Sequence, residues 1–212
     1  MKISNFILTG IEIDLSHLRE YARLIEDLLK DKQKEFDSWV EEKASKLSKE
    51  QKEEFYEFYS DDHWELSEVY PNILRESLFV ATLSLVEHEL ISLCRNLYRE
   101  NKYNLALDEV MGNGIHKAKL YLNKVANVGN NTQWNDILIF QKIRNFIVHS
   151  RRKLDNSRNA KEVESYIVSS SSIRLDDLKR MQFSNTFCLE VIEKVDEFFN
   201  SLFEELKNKS FS

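Results

Sequence analysis

The chain has 212 residues, 42% hydrophobic and 31% charged, with a net charge of −6. That length suits one well-formed core, or a core with a helical extension. Its 4 glycines and 1 proline leave little turn chemistry and point to long helices with short connections. Cys94 and Cys188 lie far apart, each on an apolar helical stripe, as buried reduced thiols do. The opening residues hold too short an apolar run for a signal peptide, and no run of about 18 apolar residues occurs. A soluble, cytoplasmic protein with no membrane contact is expected.

A first helix is expected from about Leu18 towards Leu47, capped by Asp14 or Ser16, with Tyr21, Ala22, Leu24, Ile25, Leu28 and Leu29 at helical spacing. A second, acidic helix from Ser48 to about Trp64 carries Phe55, Tyr56, Phe58 and Tyr59. It either rests an aromatic edge on the core or meets a partner protein. Residues 1–70 hold 10 lysines and arginines against 18 carboxylates and are expected to form an acidic helical extension packed on a bundle over 71–212.

Pro71 suits the first turn of a helix running to about Lys102. Its stripe of Phe79, Val80, Leu83, Val86, Leu90, Leu93, Cys94 and Leu97 contains Glu87. A core-facing carboxylate is costly unless paired. A cation on a facing helix, Arg144 or His149, is its economical partner; capping a backbone group or reaching solvent is the alternative. Asn104–Met111 reads as a short helix or turn, and Ile115–Val125 as a short helix with lysines on its polar positions. Gly129-Asn-Asn-Thr132 is expected to supply the N-cap of the next helix.

That helix, Trp134–Ser150, holds the chain's most informative stretch, Gln141-Lys-Ile-Arg-Asn-Phe-Ile-Val-His-Ser150. At about 100° per residue, Ile139, Phe140, Ile143, Phe146 and Ile147 share one side. Arg144, Asn145, Val148, His149 and Arg152 share the other, with Trp134, Ile137 and Leu138 upstream on that side. An apolar patch above an Arg/Asn/His cluster reads as a contact surface, with the cluster in or beside it. Residues 111–154 carry 8 lysines and arginines against Asp136 alone, a basic stretch in an acidic protein that hints at a phosphate-bearing ligand. The polar link Arg151–Asn159 leads into Tyr166–Leu175, read as a small β-hairpin or irregular loop, and a last helix is expected over about Asn185–Lys207. No phosphate-binding glycine loop, zinc-ligand spacing or Ser/His/Asp order is present.

Arg144 followed by Asn145, with His149 four residues past the asparagine, resembles the signature of the HEPN superfamily, and the resemblance covers about Pro71–Lys207. It implies an all-α, HEPN-like bundle of four or more helices that dimerises, and in many members a metal-independent endoribonuclease of toxin–antitoxin or phage-defence systems. Leu85-Val-Glu-His-Glu-Leu90 is similar to the glutamate-bearing element of the first core helix in that family, which makes Glu87 a supporting residue. The implied site is composite, with Arg144, Asn145 and His149 of two chains meeting through Trp134, Ile137 and Leu138, and Arg151, Arg152 and Lys153 holding RNA.

In such a site His149 transfers protons at neutral pH, Arg144 grips phosphate oxygens and Asn145 orients the imidazole or bonds the phosphate. The products carry a 2′,3′-cyclic phosphate and a 5′-hydroxyl. No cofactor or metal is expected. RNA, a second copy and a cognate antitoxin or regulatory protein are the expected partners. In the alternative, Arg144 neutralises Glu87, His149 caps the helix, and the protein is an inactive dimeric module binding a nucleotide or a partner protein.

Overall fold

The computed structural model describes residues 5–101, 103–129 and 133–210. Its class is all-α: α1 (Asn5–Ala44), α2 (Lys49–Phe58), α3 (Ser60–Trp64), α4 (Tyr70–Asn101), α5 (Gly114–Lys124), α6 (Trp134–Ser150), α7 (Arg158–Ser169) and α8 (Phe187–Ser210), with one hairpin of β1 (Ile173–Leu175) and β2 (Met181–Phe183). The N-cap expected of residues 129–132 falls largely outside the described residues.

α4 is the central element and packs against α1, α5, α6 and α8. One window of the helical stretch Ser60–Asn101 has the length and mean hydropathy, 1.4, of a membrane span. Here Leu78, Phe79, Leu83, Val86, Leu90, Leu93, Cys94 and Leu97 of α4 are buried in the protein core. Burial pushes the thiols of Cys94 and Cys188 up to about 12.

α1 begins well before the expected cap. Asp14 and Ser16 stand mid-helix and exposed, while Ile11, Leu15, Ala22 and Ile25 are buried on one stripe. The upstream half of α1 is therefore part of the core, packed on α8 and α4. Its downstream half forms a separate aromatic cluster with α2 and α3: Trp39 meets Tyr59 edge-on at 5.0 Å and Phe55 lies 4.8 Å from Tyr59. α2 starts at Ser48 through a reciprocal capping box with Gln51.

No break occurs at residue 70, where a division was expected. The helix runs on from Ser60 to Asn101 through a π-helical turn, Glu65–Val69. Pro71 has no N–H and its ring crowds the preceding turn, so the ladder widens just upstream instead of starting anew. Tyr70 N–H reaches Glu65 O, the wider bond of a π turn. Asn72, 3% exposed, gives its Nδ2 to the Glu68 carbonyl at 2.6 Å and accepts Phe183 N–H at 3.1 Å. One amide thereby repairs the widened helix and holds the hairpin to it.

The stretch around Tyr166 is helical, not part of a hairpin. Ser157 caps α7 by accepting Ala160 N–H, and Ala160, Val163 and Ile167 are buried. Tyr166 meets Phe140 edge-on at 6.0 Å. The hairpin pairs Ile173 with Phe183 and Leu175 with Met181. Its turn is closed by Asp176, whose Oδ1 accepts the N–H groups of Leu178 and Arg180 at 2.9 and 2.8 Å.

Asn72→Ala would strand the Phe183 N–H and the Glu68 carbonyl in a buried place, at about 1–3 kcal/mol for each unpaired group. Urea denaturation is expected to show a lower midpoint at unchanged slope.

Candidate functional site at the open end of α6

The two halves of α6 have different surroundings. Buried residues run Trp134, Ile137, Phe140, Ile143 and Phe146, a constant step of three. Three residues fall short of a full turn of 3.6, so the buried face rotates steadily around the helix. Upstream, the face shared by Trp134 and Ile137 is closed: Trp134 is 1% exposed and Ile137 0%. Trp134 meets Phe198 of α8 edge-on at 4.7 Å, and the ammonium of Lys119 in α5 sits 5.4 Å over its ring. Gly129, at φ +87°, lets the chain pass beneath: a Cβ there would stand 3.0 Å from the indole nitrogen.

The intermolecular role expected of Trp134 and Ile137 is thus corrected: both are spent on the chain's own core. Leu138 is half-buried against that core. A single straight stripe does not describe a helix whose buried face winds.

Downstream the same face is open. Val148 is 51% exposed, Asn145 and His149 are exposed and Arg144 is half-buried. Arg144 Nη1 donates to Asn145 Oδ1 at 3.3 Å, which sets the amide oxygen towards the guanidinium. His149 has no ion pair or side-chain hydrogen bond among the described residues, so its imidazole is available to a ligand. The structure does bring Arg144, Asn145 and His149 onto one accessible surface.

Glu87 is not their partner. Its carboxylate faces the start of α5, where a Cβ on Gly114 would fall 2.9 Å from Oε1. α5 begins without a side-chain cap from Asn113, and a carboxylate beside the positive end of a helix is favourably placed. The carboxylate of α4 that approaches the motif is Glu76, 2.8 Å from Arg152 Nε. That contact is one of charge rather than an aligned hydrogen bond, since Glu76 Oε1 and Arg152 Nη1 are both buried without a hydrogen-bond partner. Burial raises the Glu76 pKa and Arg152 pulls it back only in part. Sequence spacing missed Glu76 because it falls at the edge of the apolar stripe, where a carboxylate attracts no notice.

After Ser150 the chain turns through two left-handed residues, Arg151 at φ +50° and Arg152 at φ +68°. The N–H groups of both return to the Phe146 carbonyl and close the end of α6. Arg152 O then accepts Met181 N–H at 3.1 Å, and Leu154 N–H reaches Lys179 O at 3.0 Å. The hairpin thereby fixes the segment leaving the motif. Of the three residues expected to hold RNA, Arg151 and Lys153 are exposed, while Arg152 is turned inward to Glu76.

The basic stretch is also partly neutralised. Lys142 is paired with Glu162, which Arg158 also contacts, and burial lowers the pKa of Lys119 beneath Trp134. What remains beside His149 is a small cationic surface of Arg144, Arg151 and Lys153.

Left-handed backbone costs an L side chain about 1–2 kcal/mol, against about 0.5–1 kcal/mol for the extra freedom of glycine. Arg151→Gly is therefore expected to raise the thermal midpoint slightly while weakening any anion binding at the turn, read by melting curves and salt-dependent RNA titration. Asp176 carries the pH signature of the supporting hairpin. Burial pushes its pKa up, but the Arg180 and Leu178 N–H groups and the Arg180 guanidinium outweigh this and leave it below the ordinary 3.8. Its contribution is present above the unfolded value and lost as pH falls through the folded one. Asp176→Ala is expected to cost about 1 kcal/mol at neutral pH, a deficit that closes as pH drops below 3.8 in parallel denaturation curves.

Comparisons of the chain with protein-family models, with curated proteins and with solved structures find no match.

Proposed function

We propose that the protein is a metal-independent endoribonuclease of the HEPN type, acting in the cytoplasm in toxin–antitoxin or phage defence. One observation carries this reading: Arg144, Asn145 and His149 lie together and open at the end of α6, with Arg151 and Lys153 beside them. An imidazole left without partners is free to take or give a proton to a bound ligand, and a guanidinium gripping phosphate oxygens stabilises charge that builds during cleavage. The arrangement fits attack of a 2′-hydroxyl on the adjoining phosphorus. A base removes the hydroxyl proton, the bond to the 5′-oxygen breaks, and an acid protonates that oxygen.

One imidazole does not fill both proton roles at once, so the site calls for a second copy. With Trp134 and Ile137 committed to the core, the surface offered to that copy is the open one around Val148. A two-fold axis there brings two histidines and two arginines together. The HEPN-like fold, the homodimer and an antitoxin partner are parts of this same proposal.

A second reading, an inactive dimeric module that binds a partner protein, draws on a different feature. Ile13, Tyr21, Leu24 and Leu28 are each more than half exposed along one side of α1, an apolar stripe of the kind used for protein contacts.

Arg144→Ala and His149→Ala are each expected to lower RNA cleavage by about 10²–10⁴-fold, with no effect of EDTA on the native protein. Val148→Glu should yield a folded, inactive monomer by light scattering. Undiminished cleavage by His149→Ala, or an active monomer, contradicts the proposal; absence of cleavage by the native chain favours the binding module.

A further inference from the structure

Behind the motif turn lies a cleft of about 580 Å³, between the π-helical turn and the hairpin, with Arg152 in its wall. We propose that it is a guanine-binding subsite for the RNA engaged by α6, an inference that rests on the ribonuclease reading.

Charge alone does not make this cleft an anion trap. Arg174 approaches Glu68 at 3.3 Å, and Arg180 is paired with Asp176 at 2.9 Å. Gln182 donates to the same Asp176 carboxylate at 3.2 Å. Those groups answer one another and leave the cleft close to neutral. The volume is that of a small-molecule site.

Three features remain unanswered. Trp64, 58% exposed at the cleft, has no aromatic neighbour stacked on it among the described residues, so its indole face is open to a flat ring. The Asp177 carboxylate has no hydrogen bond or ion pair among the described residues. Arg152 lines the cleft, and its Nη1, sealed in the wall with no hydrogen-bond partner, is an orphaned donor that a ligand reaches once the side chain shifts.

A plane, an acceptor and a donor form the complement of guanine. Its N1–H and 2-amino group donate, while O6 and N7 accept, the latter being the atoms arginine reads best. Adenine presents an acceptor at N1, where the carboxylate would repel it, so the pattern discriminates between the purines. Stacking on an aromatic side chain supplies affinity without choosing the base; the carboxylate makes the choice. Position agrees with use by the same RNA. Arg152 follows His149 by three residues, which span at most about 11 Å of chain, so both sites fall within reach of neighbouring nucleotides.

The test is direct binding of guanosine 5′-monophosphate and adenosine 5′-monophosphate to the full chain, by calorimetry and tryptophan fluorescence. The inference predicts about tenfold tighter binding of the guanine nucleotide, with quenching that Trp64→Phe abolishes. Asp177→Asn should remove the preference while circular dichroism stays unchanged. Equal affinity for the two nucleotides, no binding of either at millimolar concentration, or a preference that survives Asp177→Asn overturns the subsite. The readout does not depend on cleavage: a protein that binds guanine selectively but cuts no RNA keeps the subsite and loses the ribonuclease reading, and the reverse result does the opposite.

Discussion

The burial of Trp134 between α8 and α5 is the contact on which the rest depends. It clamps the upstream half of α6 from the side that its downstream half leaves open. Phe198 meets the indole edge-on, and the ammonium of Lys119 sits over its ring. A buried aromatic of this size commonly contributes several kcal/mol, and its truncation costs about 3–5 kcal/mol. A helix anchored in this way projects its last two turns with little freedom, and precise placement is what proton transfer and phosphate binding require.

Beyond the helix, the exit segment is held as firmly as the helix itself. Asn72 joins the π-helical turn to β2, β2 joins Arg152 through the backbone, and Arg152 leans on Glu76 of α4. The left-handed pair Arg151–Arg152 is kept in place by this scaffolding. The surface left exposed is small: one imidazole, one asparagine, and the cations of Arg144, Arg151 and Lys153. These cations stand in a locally basic stretch of a protein whose net charge is −6.

Most of the helices were legible from apolar spacing, because a 3.6-residue period over long stretches leaves few alternatives. α7 was not, since Val163, Ile167, Val168 and a run of serines look strand-like unless the spacing of Ala160, Val163 and Ile167 is weighed first. The start of α1 was obscured by Asp14 and Ser16, plausible caps that stand on the exposed side of a helix already under way. At the site, the open group of Arg144, Asn145 and His149 was legible, as residues of one helical face are neighbours whatever surrounds them. The surroundings were not. Which helix covers Trp134, and which carboxylate answers which cation, depends on tertiary packing that residue spacing does not encode. Glu87 and Glu76 both sit on α4, and it is what faces them that assigns one to the start of α5 and the other to Arg152.

The chemistry of the cut ends tests the central claim most directly. RNA incubated with the protein in EDTA should yield fragments with a 2′,3′-cyclic phosphate on one side of the cut and a 5′-hydroxyl on the other. A substrate carrying a single 2′-deoxy sugar at the cleavage position should remain whole. Fragments bearing 5′-phosphates, or cleavage at the 2′-deoxy position, would contradict a site built on Arg144 and His149 that activates the 2′-hydroxyl.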